Sequence, residues 1–134
     1  MSSRRLDHGG EIDRAVTLGF KFDGQAYSGH PGDTLASALL AQGVHTVARS
    51  SKFHRPRGIW GAWVEEPNAI FDLVQAGVRM PNCKATTTPL AAEIEAFSVN
   101  AQPSAAADRH AWMDRFARFI PAAVYYKTFV WPHW

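Results

Sequence analysis

The side chains best suited to bind a ligand lie between positions 50 and 70, in the run SSKFHRPRGIWGAWVEEPNAI. The basic members of this run are Lys52, His54, Arg55 and Arg57. Arginine forms paired hydrogen bonds with carboxylate and phosphate groups, so the run predicts contact with an acidic partner or with an anion such as a flavin or dinucleotide phosphate. The alternative is that these bases pair with Glu65 and Glu66 and stabilise the loop itself.

Aromatic residues and glycines shape the second part of the same run. Gly58 and Gly61 favour a tight turn, and Trp60 and Trp63 flank the second glycine. We expect both tryptophans to be buried anchors, each removing about 200 Å² from water, rather than a platform on which bases stack. The run contains no cysteine, no phosphate-binding glycine motif and no metal-ligand spacing.

Reactive side chains elsewhere in the chain form no recognisable site. The six histidines follow no metal-binding pattern, and no serine, histidine and acid are arranged as a nucleophilic triad. Cys83 is the only cysteine, which excludes an internal disulfide and is typical of a reducing compartment. The sequence therefore predicts no catalytic residue and no bound metal.

Length and composition narrow the class of protein. The chain has 134 residues, 46% of them hydrophobic and 19% charged, which suits one globular domain. A formal charge of +2 is too small to predict nucleic-acid binding. There is no apolar run near the length of a membrane span and no secretory signal at the start, so we expect no membrane contact and a cytoplasmic location.

A hairpin followed by a helix is predicted before the basic run. Apolar residues alternate from Leu18 to Phe22, and Asp23-Gly24 favours a hairpin turn into the strand QAYSGH. We expect Asp33 to cap the next helix and Gly43 to end it. The apolar stripe of that helix, expected to face Phe20 and Phe22, is Leu35, Leu39 and Leu40.

Short strands complete the predicted sheet. HTVARSS, NAIFDLV and LAAEIEAFSV are interpreted as strands, the last of them with helix as the alternative. MPNCKATTTPL is interpreted as a loop, because Pro81 and Pro89 cannot donate to a strand ladder. A mixed sheet that holds one crossing helix is the β-grasp arrangement, in the α+β class.

Three segments follow from these elements. Residues 1–14 are expected to be extended, residues 15–100 to form the β-grasp domain, and residues 101–134 to form a helix and an aromatic tail. The helix is predicted between a cap at Ser104 and a stop at Pro121, with Trp112, Phe116 and Phe119 on one face. The tail residues predicted to form an interface are Tyr125, Tyr126, Phe129 and Trp131. The alternative is that the tail folds back onto the sheet.

Three separated runs also carry a family resemblance. RLDHGGEIDR, KFHRPRGIWGAWVEEPNAI and VYYKTFVWP, in that order, resemble the start of the large α subunit of heterotetrameric sarcosine oxidases, and the resemblance covers essentially the whole chain. That family oxidatively demethylates sarcosine and related N-methyl amino acids. The resemblance implies the remaining α-subunit domains and other subunits as partners, with FAD, FMN and NAD in the whole complex.

The resemblance extends to plant-type [2Fe–2S] β-grasp domains, whose cluster is held by four cysteine thiolates. It places three cysteine positions near Arg57, Ala62 and Glu65 and the fourth near Thr86, and none of these is a cysteine here. We therefore expect a loop that keeps the shape of a cluster loop without the cluster.

The predicted role follows from what the chain lacks. The resembled subunit continues into a dinucleotide-binding domain, whose glycine motif does not occur in these 134 residues. We therefore expect a fragment, or a separately encoded counterpart, that acts as a non-catalytic structural module and binds no cofactor by itself. The alternative is a stand-alone cofactor-binding or electron-transfer β-grasp protein.

Overall fold

A computed structural model describes residues 4–119 of the chain. Its strands are β1 (Leu18–Phe22), β2 (Gln25–Gly29), β3 (Ala48–Arg49), β4 (Pro56–Arg57), β5 (Ile70–Gln75), β6 (Val78–Lys84) and β7 (Glu95–Ser98). Its helices are α1 (Leu35–Ala41) and a 3₁₀ helix (Ala111–Phe119). Within the described part of the chain, neither helix has the length and apolar character needed to cross a bilayer.

Five strands form one mixed sheet in the order β2-β1-β7-β5-β6. Strands β1 and β7 pair in parallel, whereas the β1–β2, β5–β7 and β5–β6 pairs are antiparallel. Strands β3 and β4 pair separately, through Ala48 with Arg57 and Arg49 with Pro56. The β-grasp prediction is confirmed, and so is the choice of a strand for the segment that contains β7.

The hairpin between β1 and β2 forms at the predicted turn. Asp23 and Gly24 have φ angles of +49° and +79°, the left-handed conformation that a two-residue type I′ turn requires. The Asp23 carboxylate also accepts hydrogen bonds from the backbone and side chain of Ser98 and from the Ala105 N–H. This turn therefore joins the start of the sheet to the segment that follows β7.

Helix α1 begins one residue later than predicted. Thr34 is the N-cap, since its hydroxyl accepts from the Ser37 N–H while the Ser37 hydroxyl accepts from the Thr34 N–H. Asp33 precedes the cap and is buried, and both of its oxygens accept from Arg5, at 2.8 and 2.7 Å. Burial raises the pKa of Asp33, but hydrogen bonds from Arg5, Ser37 and the backbone outweigh it and lower this pKa. As predicted, the helix ends before Gly43, whose φ angle is +78°.

The core lies between α1 and one face of the sheet. Leu35 and Leu39 are fully buried with Phe20 and Phe22 in one cluster, and Phe22 also contacts Phe71, with ring centroids 5.0 Å apart. The prediction that Leu40 shares this face was wrong, since its side chain is 39% exposed. A stripe of two leucines and small alanines, not three leucines, forms the core face of α1.

The segment interpreted as a loop around Pro81 is in fact strand β6. It pairs with β5, but the register shifts between Phe71 and Leu73, so that Pro81 lies in an irregular stretch of the ladder. Strand β6 is also at the edge of the sheet, where a missing N–H is tolerated. Proline therefore excludes a central strand here but not an edge strand.

The C-terminal helix begins later than predicted, and its described part is more tightly wound than an α-helix. It is a 3₁₀ helix from Ala111 to Phe119, and Ser104 caps only a preceding turn, where it accepts from the Ala107 N–H. Its aromatic residues, Trp112, Phe116 and Phe119, are all exposed. The predicted interface residues Tyr125, Tyr126, Phe129 and Trp131 lie outside the described residues. The boundaries 1–14, 15–100 and 101–134 stay predictions.

Candidate functional site

The run that the sequence singles out connects β3 to β5 as one long loop that contains β4. We call residues 50–57 the basic half and residues 58–69 the tryptophan half. The two halves are held by different side chains, and each is organised around a buried carboxylate.

The basic half is tied to Asp108. The His54 Nδ1 atom lies 2.6 Å from Asp108 Oδ2, and the Asp108 side chain is fully buried. The other oxygen, Oδ1, accepts from the backbone N–H groups of Gln102 and His110, each at 3.2 Å. Burial raises the pKa of Asp108, but these hydrogen bonds and His54 outweigh it, so the pKa of this carboxyl lies below its ordinary value.

His110 stands beside this pair. His54, Asp108 and His110 offer ligand atoms within 4.8 Å of one another, which is close enough to hold a metal ion. Sequence analysis missed the group because His54 is 54 residues from Asp108, and only the local Asp-Arg-His order at positions 108–110 hinted at it. Both carboxylate oxygens already accept protein hydrogen bonds. The absence of a metal stays a prediction.

Within residues 4–119, the ion pairs that involve Arg55 or Arg57 include neither Glu65 nor Glu66. Arg55 forms an exposed ion pair with Asp114 and, like Lys52, stacks on the Phe53 ring, with the cations 4.9 and 5.0 Å from its centroid. Arg49 donates to the backbone carbonyls of His54 and Ala105. The basic half is therefore fastened to residues 105–114.

Arg57 stands apart from the other predicted contact residues. It lies exposed in β4, and no ion pair within residues 4–119 includes it. It borders a groove of about 430 Å³ with Arg49, Trp60 and Asn68. The structure does not gather Lys52, His54, Arg55 and Arg57 into one anion pocket, because two of them face separate aspartates.

The tryptophan half is organised by Glu66, which is fully buried. Its Oε2 atom accepts from the N–H groups of Trp60, at 2.6 Å, and Gly61. Its Oε1 atom accepts from the N–H groups of Asn68, at 2.7 Å, and Ala69, at 3.2 Å. Burial raises the pKa of Glu66, but the four backbone donors outweigh it and lower this pKa.

Two residues near the end of β6 fasten this half from outside. The Lys84 ammonium group donates to the carbonyls of Val64 and Glu66, and the Thr86 hydroxyl donates to the Trp63 carbonyl at 2.8 Å. Thr86 is buried, and it occupies the position where the family resemblance placed a fourth cysteine. Hydrogen bonds therefore connect the two segments that a cluster would bridge.

The two tryptophans point outward. The prediction that they are buried anchors was wrong, since Trp60 is 82% exposed and Trp63 is 65% exposed. Val64 is half exposed next to them. Because Glu66 fills the interior of the loop, the indoles are left on its outer surface. Nothing in the sequence distinguishes the buried Glu66 from the exposed Glu65.

Comparisons with known proteins identify one matching family and several similar proteins. Residues 15–101 match the model of a family described as 2Fe-2S iron-sulfur cluster binding domain. The chain is 49% identical over 132 residues to sarcosine oxidase subunit alpha of Rhizobium meliloti (strain 1021), which covers 98% of this chain and 13% of that protein. It is 46% identical over 71 residues to sarcosine oxidase subunit alpha of Corynebacterium sp. (strain U-96), covering 53% of this chain and 7% of that protein.

A solved structure also matches. The crystal structure of L-proline dehydrogenase from P. horikoshii aligns with 64% of this chain and 16% of that chain, at 19% identity and a TM-score of 0.48. The chain thus spans only a small part of each relative that it matches.

Proposed function

This chain belongs to the 2Fe-2S iron-sulfur cluster binding domain family, and we propose that it is a non-catalytic structural module of a heterotetrameric sarcosine oxidase-like flavoenzyme. The whole enzyme oxidatively demethylates sarcosine or a related N-methyl amino acid. The observation that carries the proposal is the 49% identity to a sarcosine oxidase α subunit across 98% of this chain. The described loop contributes structure and contact surface to that assembly.

The metal-ligating side chains of this chain do not fit the [2Fe–2S] cluster that the family description names. A [2Fe–2S] cluster takes four cysteine thiolates, or two cysteines and two histidines. This chain has one cysteine, Cys83, whose thiol lies in β6 and faces the Met80 carbonyl at 3.5 Å. One thiolate cannot hold two irons, so no electron-transfer step through a cluster is assigned to this chain.

The proposed partners are the remaining domains of the α subunit and the other subunits of the complex. Trp60 and Trp63 are supporting contacts, because exposed tryptophans on a firmly held loop are typical of interface anchors. Arg57, which lines one groove with Trp60, supplies an exposed cation for an acidic group. FAD, FMN and NAD would be bound by those partners, and no nucleic acid or membrane is involved. A cytoplasmic location agrees with the single cysteine.

A chimaera tests this function. The corresponding region of the Rhizobium meliloti α subunit is replaced by this chain, and assembly is followed by size-exclusion chromatography and by sarcosine oxidation. We expect an assembled, active oxidase. In the chimaera, Trp60→Ala with Trp63→Ala should weaken assembly, whereas Trp112→Ala, a change at another exposed tryptophan, should not. Failure of the unaltered chimaera to assemble would contradict the proposal.

The alternative is a stand-alone cofactor-binding or electron-transfer β-grasp protein, and the cluster binding named in the family description is the observation that supports it. Absorption spectra and elemental analysis of the tag-free chain, purified without oxygen, separate the two. A structural module should be colourless and contain no stoichiometric iron or zinc. A red-brown protein with two irons per chain would support the electron-transfer alternative, and a yellow one would indicate a bound flavin.

A further inference from the structure

The Glu66 carboxylate is an anion enclosed by its own loop. It accepts four backbone N–H groups, two on each oxygen, and it is fully buried. None of the ion pairs within residues 4–119 involves it. Its negative charge is therefore balanced by peptide dipoles rather than by a cation.

The four donors come from two short stretches of the loop. Trp60 and Gly61 are consecutive, as are Asn68 and Ala69, so each pair directs adjacent N–H groups at one oxygen. Converging backbone N–H groups form anion-binding concavities, and iron–sulfur sites are among those that use them. In this chain the concavity is filled from within by a side chain.

Hydrogen bonds also join the same loop to the last residue of β6 and to the residues just after it. Lys84 and Thr86 donate to the carbonyls of Trp63, Val64 and Glu66. In a cluster-binding domain, the cluster with its thiolate ligands is the enclosed anion, and its iron–thiolate bonds cross-link the loop to the segment that carries the fourth cysteine. Here a carboxylate supplies the anion, and an ammonium group and a hydroxyl supply the cross-link.

We propose that Glu66 is the internal anion around which this loop folds in place of an iron–sulfur cluster, so that the domain reaches its folded state without metal. The proposal goes beyond the oxidase assignment, because it concerns how the chain closes its own loop. Its test does not depend on whether the chain docks to a flavoenzyme.

The test compares Glu66→Gln with Glu65→Gln in the full chain. Both changes remove one negative charge, but Glu65 is exposed and only Glu66 accepts the four N–H groups. A glutamine amide must direct its NH₂ group at two of these donors. We expect Glu66→Gln to lower Tm by about 10 °C and Glu65→Gln to change it by less than about 2 °C. Equal Tm values for the two variants would overturn the proposal.

Hydrogen exchange of the unaltered chain gives a second measurement, which remains decisive if Glu66→Gln does not fold. The amides of Trp60, Gly61, Asn68 and Ala69 should exchange as slowly as those of β5, both before and after incubation with ferrous iron and sulfide. Fast exchange that slows only after two irons per chain are taken up would show that metal closes the loop. Slow exchange with no iron uptake is the expected result.

Discussion

The basic half and the tryptophan half of the loop both depend on a buried carboxylate, but the two carboxylates receive different donors. Glu66 accepts only backbone N–H groups, all within six residues of it. Asp108 accepts two nearby backbone N–H groups and a histidine ring 54 residues away. Glu66 therefore holds its own loop closed, whereas Asp108 connects two parts of the chain that are distant in sequence.

This difference predicts different consequences of losing each carboxylate. Removing Glu66 should loosen a single loop. Removing Asp108 should separate the basic half from the segment at 102–110, which contains the Gln102 and His110 donors.

Among changes to the loop and its partners, the largest effect is expected from Asp108→Asn. The change places an amide among donors that require an acceptor and should cost about 2–3 kcal/mol of unfolding free energy. Urea unfolding measures the loss, and hydrogen exchange should show faster exchange at residues 102–110 but unchanged exchange at Asn68 and Ala69. Faster exchange at Asn68 and Ala69 as well would mean that the two halves unfold as one cooperative unit and would contradict the comparison.

Acid should weaken both halves. The pKa values of Asp108 and Glu66 are lowered from ordinary values of 3.8 and 4.5, so their stabilisation is complete above those values. It is lost as the pH falls through the lower pKa values of the folded state. Thermal unfolding between pH 7 and pH 2.5 should therefore show a fall in Tm beginning near the ordinary values. Asp108→Asn and Glu66→Gln should each flatten this fall, and an unchanged slope in either variant would contradict the role of that carboxylate.

A smaller effect is expected from the ion pair between Arg55 and Asp114. Their side chains are 49% and 44% exposed, so solvent screens the interaction. A double-mutant cycle with Arg55→Gln and Asp114→Asn should give a coupling energy below about 0.5 kcal/mol. A coupling above about 1.5 kcal/mol would mean that this ion pair, rather than Asp108, is the main connection between the basic half and the C-terminal segment.

The smallest effect on stability is expected from the tryptophans. Trp60→Ala and Trp63→Ala should each change the unfolding free energy by less than about 0.5 kcal/mol, because the indoles are mostly exposed. Leu39→Ala, in the core, should cost about 2–5 kcal/mol under the same conditions. A large loss at either tryptophan would mean that its ring packs inside, as the sequence had suggested.

Sequence patterns correctly predicted the elements whose geometry is determined by residues that are neighbours in sequence. Alternation from Leu18 to Phe22, the Asp-Gly turn and Gly43 each determine backbone geometry over a few residues, and all three predictions were confirmed. The strand around Pro81 was missed because its edge position depends on the order of the whole sheet. Thr34 displaced Asp33 as the cap because Arg5, far earlier in the chain, occupies that carboxylate.

The candidate site was harder to predict, since composition and charge describe which residues are present but not which of them face each other. The basic residues were recognised, but their acidic partners are 54 and 59 residues away. Glutamate is normally exposed and tryptophan is normally well buried, and at Glu66 and Trp60 both tendencies are reversed. The reversal comes from four N–H groups that converge only after the loop has folded.

The irregular edge strand β6 bears on how this domain can assemble. An open strand edge invites another chain to extend the sheet, and regular hydrogen-bonding edges are a common start of aggregation. Along β6, Pro81 lacks an N–H donor and the register shift breaks the regular pattern. Regular sheet extension along this edge of the molecule is therefore discouraged, and β2 is the edge strand on the opposite side of the sheet.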